Sequence, residues 1–497
     1  MTGLLYALGI VLFLIGVSIS IALHELGHLI PAKKLGVKVT RYMVGFGPTL
    51  FSRRRGETEY GIKALPLGGF IAMPGMYPPH HATVDQAHGA TVDQAHGATD
   101  ASGIVTEAIE GHEDRELAGI GAHADPIGGS ASARRATRKP RMFERTMDDA
   151  REYSNQFIEP GEEHRTFYAL SVPKRLVVMF GGPLVNLLLG ILILGIMLLG
   201  VGVPTLNTTV ATVSECAVPA TEMAKRAPAD QNRCLPGDQP TPAAQVGIAP
   251  GSTIISIDGK SMHSWNDITR EVRGLAGKEV DIVVEDGGAQ KTIPTTIIAA
   301  ERPVYDKGEL TRDGNGEFVT ETVGFLGVGP DKEYTPIPLS EFPGQIGQAL
   351  GRTFTALATL PVKLVDIVQV ATTNKERDPE GIMGMVGVGR VAGEIVSTDQ
   401  IDVTGKVVTG LGLLGSLNLF LFAFNMIPLL PLDGGHIAVA LYEGARRRIN
   451  LARGRGIIGP FDTARLLPLT YVVVGLMLCM TVLLVYVDIV KPVVLFQ

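Results

Sequence analysis

The stretch LLYALGIVLFLIGVSISIALHELGHLI, residues 4–30, decides the reading: an apolar run long enough to cross a bilayer carries His24, Glu25 and His28 near its end. Each ionisable group at mid-helix in lipid costs roughly 2.5 to 3.5 kcal/mol on insertion scales, so such groups mark function. Two histidines at i and i+4 on a helix stand about 40° apart around the axis and about 6 Å apart along it, so both imidazoles reach one ion. Glu25, beside the first, is placed to act on a metal-bound water as general base. In a soluble helix the same string is mostly ordinary surface histidine; the apolar setting gives it weight here.

The 497-residue chain is 45% hydrophobic with formal charge −6 and mean hydropathy +0.23, which suits a polytopic α-helical membrane protein with a sizeable polar portion. Nothing supports a nucleic-acid partner. Four segments are long and apolar enough to span: residues 4–30, 176–203, 408–430 and 466–490. The first lacks a basic leader and exceeds the usual apolar core of a signal peptide, so it reads as a retained helix. Lys33, Lys34, Lys38, Arg41, Arg53, Arg54 and Arg55 follow the first span, Lys174 and Arg175 precede the second, and Arg446, Arg447, Arg448, Arg453 and Arg455 follow the third. Basic flanks stay cytoplasmic, which puts residues 31–175 and 437–465 inside, and residues 204–407 and both termini outside.

A zinc site needs a third protein ligand and an open position. Asp433, in NMIPLLPLDGGH (residues 425–436), lies at the cytoplasmic end of the third span and is the best candidate. An isolated Asp-Gly-Gly would read as a helix cap; a metal-binding motif at matching depth favours the ligand. His436 is read as supporting the ligands rather than joining them.

Together these residues resemble the site-2 protease family of intramembrane zinc metalloproteases, in particular its bacterial, PDZ-containing branch with an actinobacterial character. The resemblance rests on His24-Glu25-Leu26-Gly27-His28, on Pro428 to Gly435, and on Gly182-Pro183-Leu184-Val185-Asn186. It implies one Zn2+ per chain held by His24, His28 and Asp433, with Glu25 as catalytic base. It also implies that Asn186 and Asn425 support substrate backbone or the transition state, interhelical hydrogen bonding being the alternative. Pro431 falls three residues after Pro428, where many members place the second proline two after, yet Asp433 still falls eight after Asn425. The implied activity is cleavage of transmembrane segments of single-span proteins, such as anti-sigma factors or remnant signal peptides. That cut follows an earlier one by an upstream site-1 protease, in the bacterial plasma membrane. Two other classes compete: a membrane-anchored PDZ adaptor without proteolytic activity, and a metal transporter. The intact His24, Glu25, His28 and Asp433 weigh against the first, and transport gives no reason for Glu25.

The organisation follows in chain order. Residues 1–32 hold the first transmembrane helix. Residues 33–75 are a cytoplasmic hairpin region, in which Tyr60 to Met73, broken by Pro66, Gly68 and Gly69, reads as the hairpin. It resembles the family's membrane-associated β-element, whose edge can pair with an extended substrate. Residues 76–165 read as a flexible insert, with ATVDQAHG at 82–89 and again at 90–97, its histidines repeat residues rather than a metal site. A basic patch at Arg134, Arg135, Arg138, Lys139 and Arg141 suits contact with the anionic leaflet. The second helix occupies 174–203, an extracytoplasmic PDZ-like α+β domain 207–331, and an amphipathic connector on the outer leaflet 332–407, with 381–393 a flexible lead. The third helix, with its Leu-Asp-Gly motif, takes 408–436 and the fourth 466–490. Cys216 and Cys234 flank a Pro-rich insertion on the oxidising side, and their spacing permits a loop-closing disulfide. Cys479 reads as packing.

Overall fold

The structure, a computed structural model, describes residues 2–78, 142–219, 222, 226, 233–306, 309–311, 319–373, 377–378, 381–455 and 459–493. In chain order its main elements are α1 (Thr2–Lys34), β1 (Arg41–Arg55), β2 (Thr58–Ala72), α2 (Met142–Asn155), α3 (Val172–Gly195), β3 (Val203–Val213), β4 (Thr253–Ile257), α4 (Trp265–Gly274), β5 (Glu279–Asp286), β6 (Ala289–Thr296), β7 (Ile298–Pro303), β8 (Thr320–Phe325), β9 (Val328–Thr335), α5 (Phe342–Thr372), α6 (Met385–Ser397), α7 (Val403–Asn425), α8 (Asp433–Ala452) and α9 (Leu467–Val490). Among the described residues five helices are long and apolar enough to cross a membrane, the segments Thr2–Lys34, Val172–Val201, Phe342–Thr372, Val403–Asn425 and Thr463–Val490. The fifth relative to the sequence reading is α5, which that reading places in the connector. Leu4, Val472 and Leu476 are exposed, the inverse of a soluble helix and what a lipid-facing surface requires. The protein is a multi-pass membrane protein.

The chain forms two compact units, one of residues 17–185 and 424–482, the other of residues 1–16, 186–423 and 483–497. In the first, α1, β1, β2 and the start of α3 share an apolar core that includes Leu29, Val39, Met73, Phe167 and Val178. The hairpin is larger than the sequence suggests. Tyr60 to Met73 was expected to turn on itself, but it supplies one arm, and the turn lies at Gly56, whose φ of +63 suits glycine. Arg55 pairs with Thr58 and Phe51 with Ile62, while the Arg41–Val44 segment pairs both with Glu59–Ile62 and with Gly69–Ala72. The result is a four-segment ribbon with Gly69–Ala72 along one edge. Local hydropathy shows the arms; the return of the chain to pair twice with Arg41–Val44 is a long-range fact.

Helix α2 docks against the Gly75–Tyr77 segment that follows the ribbon and against Asp462. Arg151 Nη2 donates to Asp462 Oδ2 at 2.7 Å, Asn155 Nδ2 to the Tyr77 carbonyl at 3.0 Å, and the Tyr77 N–H to Ser154 Oγ at 3.1 Å. The repeats, their histidines, the basic patch and most of the insert expected to be flexible lie outside the described residues.

The other unit contains the β-rich module: an antiparallel sheet in the order β9-β3-β4-β5-β6, closed on one face by α4, around Ile254, Ile257, Ile268, Ile282 and Leu326. Ser264 caps α4, its side chain accepting from the Asp267 N–H. The structure pairs Cys216 with Cys234 (Cα to Cα 5.8 Å). Beside them the Arg226 guanidinium holds the Asp238 carboxyl below the usual carboxylate range. The glycine-rich stretch expected as a flexible lead is largely helical, as α6, and two of its glycines are packed: a Cβ at Gly393 would meet the Tyr6 ring, and one at Gly387 the Asp488 carboxylate.

Candidate metal centre

Helix α1 carries His24 and His28 one turn apart on one face. Between them Gly27 meets Gly181 of α3 so closely that a Cβ on either would overlap the carbonyl of the other. Only glycine lets the two backbones approach this far. The approach brings the Val178 carbonyl to 2.8 Å from His28 Nδ1, and the residue facing the His28 ring is Gly182. With Nδ1–H donating to Val178, His28 Nε2 carries a lone pair.

Asp433 reaches the same place from a different element. Helix α7 ends at Asn425, residues 426–432 leave it, and α8 begins at Asp433. Gly434 and Gly435 are required there because a Cβ at either would strike the backbone at Met426–Ile427 or Leu429–Leu430. The Leu-Asp-Gly-Gly motif therefore folds the loop against the start of α8 and fixes where the carboxylate emerges. Asp433 Oδ2 lies 3.3 Å from His24 Nε2 and 3.4 Å from His28 Nε2, and the two Nε2 atoms lie 3.3 Å apart.

Three corners of a tetrahedron around an ion with bonds of about 2.0 to 2.1 Å are separated by about 3.3 to 3.4 Å, so the triangle has the dimensions of a zinc site with one position left open. Asp433 Oδ2 is buried and accepts no hydrogen bond. Lone pairs converging in this way repel unless a cation sits among them. Among the described residues this is the one group of three or more such side chains with ligand atoms within 4.8 Å of one another. The structure brings together the three residues that the sequence analysis names as ligands. The sequence had no signal for the Val178 carbonyl, a backbone group that any residue could supply, or for the packing roles of Gly181 and Gly182.

Glu25 is partly buried next to His24. A Cβ at Gly69 would lie 2.8 Å from Glu25 Cγ, so the edge segment of the hairpin rests on the acidic side chain. Tyr42 Oη donates to the Ala22 carbonyl at 2.7 Å and seats the ribbon on the same end of α1. His436 is not part of the triangle. It lines a cavity of about 20 Å³ with Arg175, Phe461 and Thr463. Asn186 is buried on α3 in the other compact unit, and Asn425 closes α7.

Comparison with known proteins adds the family. The model of peptidase family M50 matches residues 12–469. The chain belongs to peptidase family M50. It is 31% identical over 503 residues to the zinc metalloprotease Rip1 of Mycobacterium bovis, covering 99% of this chain and all of that protein. The Rip1 of Mycolicibacterium smegmatis is 31% identical over 508 residues. The regulator of sigma-W protease RasP of Bacillus subtilis is 24% identical over 455 residues, 88% of this chain and 90% of that one. This M50 chain is a zinc metalloendopeptidase of intramembrane proteolysis with zinc as its cofactor, and the reading as an adaptor without proteolytic activity is not favoured.

Proposed function

We propose that this M50 peptidase cleaves transmembrane segments of single-span proteins after an earlier extracytoplasmic cut by a site-1 protease, with His24, His28 and Asp433 holding the zinc and Glu25 acting as base. The observation that carries the assignment is the triangle of 3.3 to 3.4 Å between two imidazole nitrogens and one carboxylate oxygen. Zinc, when bound, polarises a carbonyl and acidifies a water. Glu25 takes the proton of the attacking water and returns it to the departing amine. Asn186 and Asn425 orient the substrate backbone.

A helical peptide bond is shielded by its own hydrogen bonds, so the substrate must be unwound before it is cut. The Gly69–Ala72 edge offers replacement backbone partners by strand addition, directly beside Glu25. The module at residues 207–331 acts as a PDZ-like unit with β9 as an edge strand, accepting the trimmed end of a substrate or excluding intact ectodomains. By the basic flanks, residues 31–175 and 437–465 are cytoplasmic, 204–407 and both termini are outside, and α5 lies along the outer leaflet. The relative named as a regulator of sigma-W makes anti-sigma factors the first substrates to test.

The test is zinc content and cleavage of a single-span reporter measured on the same purified samples. Glu25→Gln should keep about one zinc and lose turnover by orders of magnitude, because an amide cannot accept the proton. Asp433→Ala should lose the metal itself, since two imidazoles leave the ion underbound. Full cleavage by Glu25→Gln would refute the mechanism.

A further inference from the structure

We infer that Arg175 and Glu443 form a buried clamp that sets how α8 presents Asp433 to the histidines of α1, which makes both of them positioning residues for the metal centre. The inference rests on the ligand assignment above. Arg175 lies on α3 one turn before Val178, whose carbonyl holds His28. Glu443 lies on α8, the helix that Asp433 begins. The clamp therefore joins the helix that backs one ligand to the helix that supplies another.

Its geometry is restrictive. Arg175 Nη1 donates to Glu443 Oε2 at 2.9 Å and Nη2 donates to Oε1 at 2.7 Å, while Nε donates to the Leu170 carbonyl at 2.9 Å. The two side chains are 7% and 1% exposed. A bidentate fork fixes orientation as well as distance, which a lysine or an apolar pair does not. Glu443 Oε2 also accepts the Phe461 N–H at 3.1 Å, and Arg447 Nε stands 3.6 Å from Oε1. Burial pushes the Glu443 carboxyl up, but the Arg175 guanidinium outweighs it and holds the carboxyl below its ordinary value, so the pair stays charged.

The ion pair borders a gap in the packing. The cavity of about 20 Å³ that His436 lines is also lined by Arg175, Ala440 and Phe461, beside the ion pair. Replacing a buried ion pair by apolar residues is often neutral for stability, so the value of this one is geometric. A change of separation or angle here moves α8, and Asp433 with it, relative to the imidazoles.

The experiment loads the purified full-length protein with zinc and follows its release to a chelator, alongside thermal unfolding of the zinc-free protein. Glu443→Gln keeps the shape and removes the charge; Arg175→Lys keeps the charge and removes the fork. Both should release zinc faster, Glu443→Gln by about tenfold, the lower end of the effect of losing a support to a metal ligand. A pair that serves only stability would lower the zinc-free unfolding temperature and leave the release rate of the folded protein at the unmodified value, and that result overturns the inference. If Glu443→Gln does not fold, Arg175→Lys decides alone. His24→Ala is measured in parallel: zinc retention equal to the unmodified protein would show that the ligand assignment, not the clamp, has failed.

Discussion

Replacing Gly182 by alanine tests the proposed centre without changing any of the three proposed ligands. The added methyl carbon would lie 2.6 Å from Cδ2 and 2.7 Å from Cε1 of His28, and would overlap Nε2 outright. Non-bonded carbons settle at about 3.5 to 4.0 Å, so the ring must retreat by about an ångström. It is not free to do so, because its Nδ1 is tied to the Val178 carbonyl at 2.8 Å. Either that bond breaks or α3 moves off α1, and overpacking of this kind costs about 1 to 3 kcal/mol. Freeing a metal-bound imidazole from its partner costs about 10- to 100-fold in affinity, an energy of the same size. The zinc dissociation constant should therefore rise by about 10- to 100-fold, with reporter cleavage falling at limiting zinc and recovering in part when zinc is added. Equilibrium competition with a chelator reads the constant directly. Gly475→Ala is the control, since nothing lies within 4 Å of its new methyl. Unmodified affinity in Gly182→Ala would show that the ring and α3 are not packed as described.

Peptide mapping without reduction should recover Cys216 linked to Cys234, and reduction should cost the β-rich module about 3 kcal/mol by the loop-closure estimate for a ring of this size; two free thiols would remove the idea. For sidedness, Ser252 is buried, so the exposed Gln290 is the better site for an introduced cysteine. It should react with an impermeant reagent in intact cells, and labelling only after permeabilisation would reverse the topology. Deleting residues 83–129 leaves Tyr77, Ser154 and Asn155 and the hydrogen bonds between them in the chain, so reporter cleavage should continue largely unchanged at normal zinc content. Loss of cleavage in that protein would give the insert a catalytic role.

What the sequence made legible is what it encodes locally. A charged motif inside an apolar run, an Asp-Gly-Gly after a span and a pair of cysteines 18 residues apart in a polar loop each announce themselves within a short stretch, and the first two converge on one triangle of side-chain atoms. The glycines were visible but not their reasons: Gly27 and Gly181 matter because they face each other, and Gly182 because it faces His28, facts that belong to pairs of distant segments. The hairpin shows the same limit. Pro66 and the following glycines suggested a turn within Tyr60 to Met73, whereas the chain turns at Gly56 and bends along that run to pair again with Arg41–Val44. Arg175 and Glu443 were countable as charges, with no local sign that they would meet. The glycines of α6 read as looseness because glycine favours loops in water, but against a neighbouring helix the missing side chain is what permits contact.

The crossing of α1 and α3 at Gly27 and Gly181 has a practical consequence. Between helices in lipid the hydrophobic effect contributes little, and association depends on close van der Waals contact, which fades within an ångström of separation. The His28 ring takes its orientation from that same contact. Metal occupancy and helix association are thus two readings of one equilibrium: a detergent harsh enough to loosen the crossing will strip the zinc with every ligand intact, and metal analysis of each preparation doubles as a gauge of whether the helices are still together.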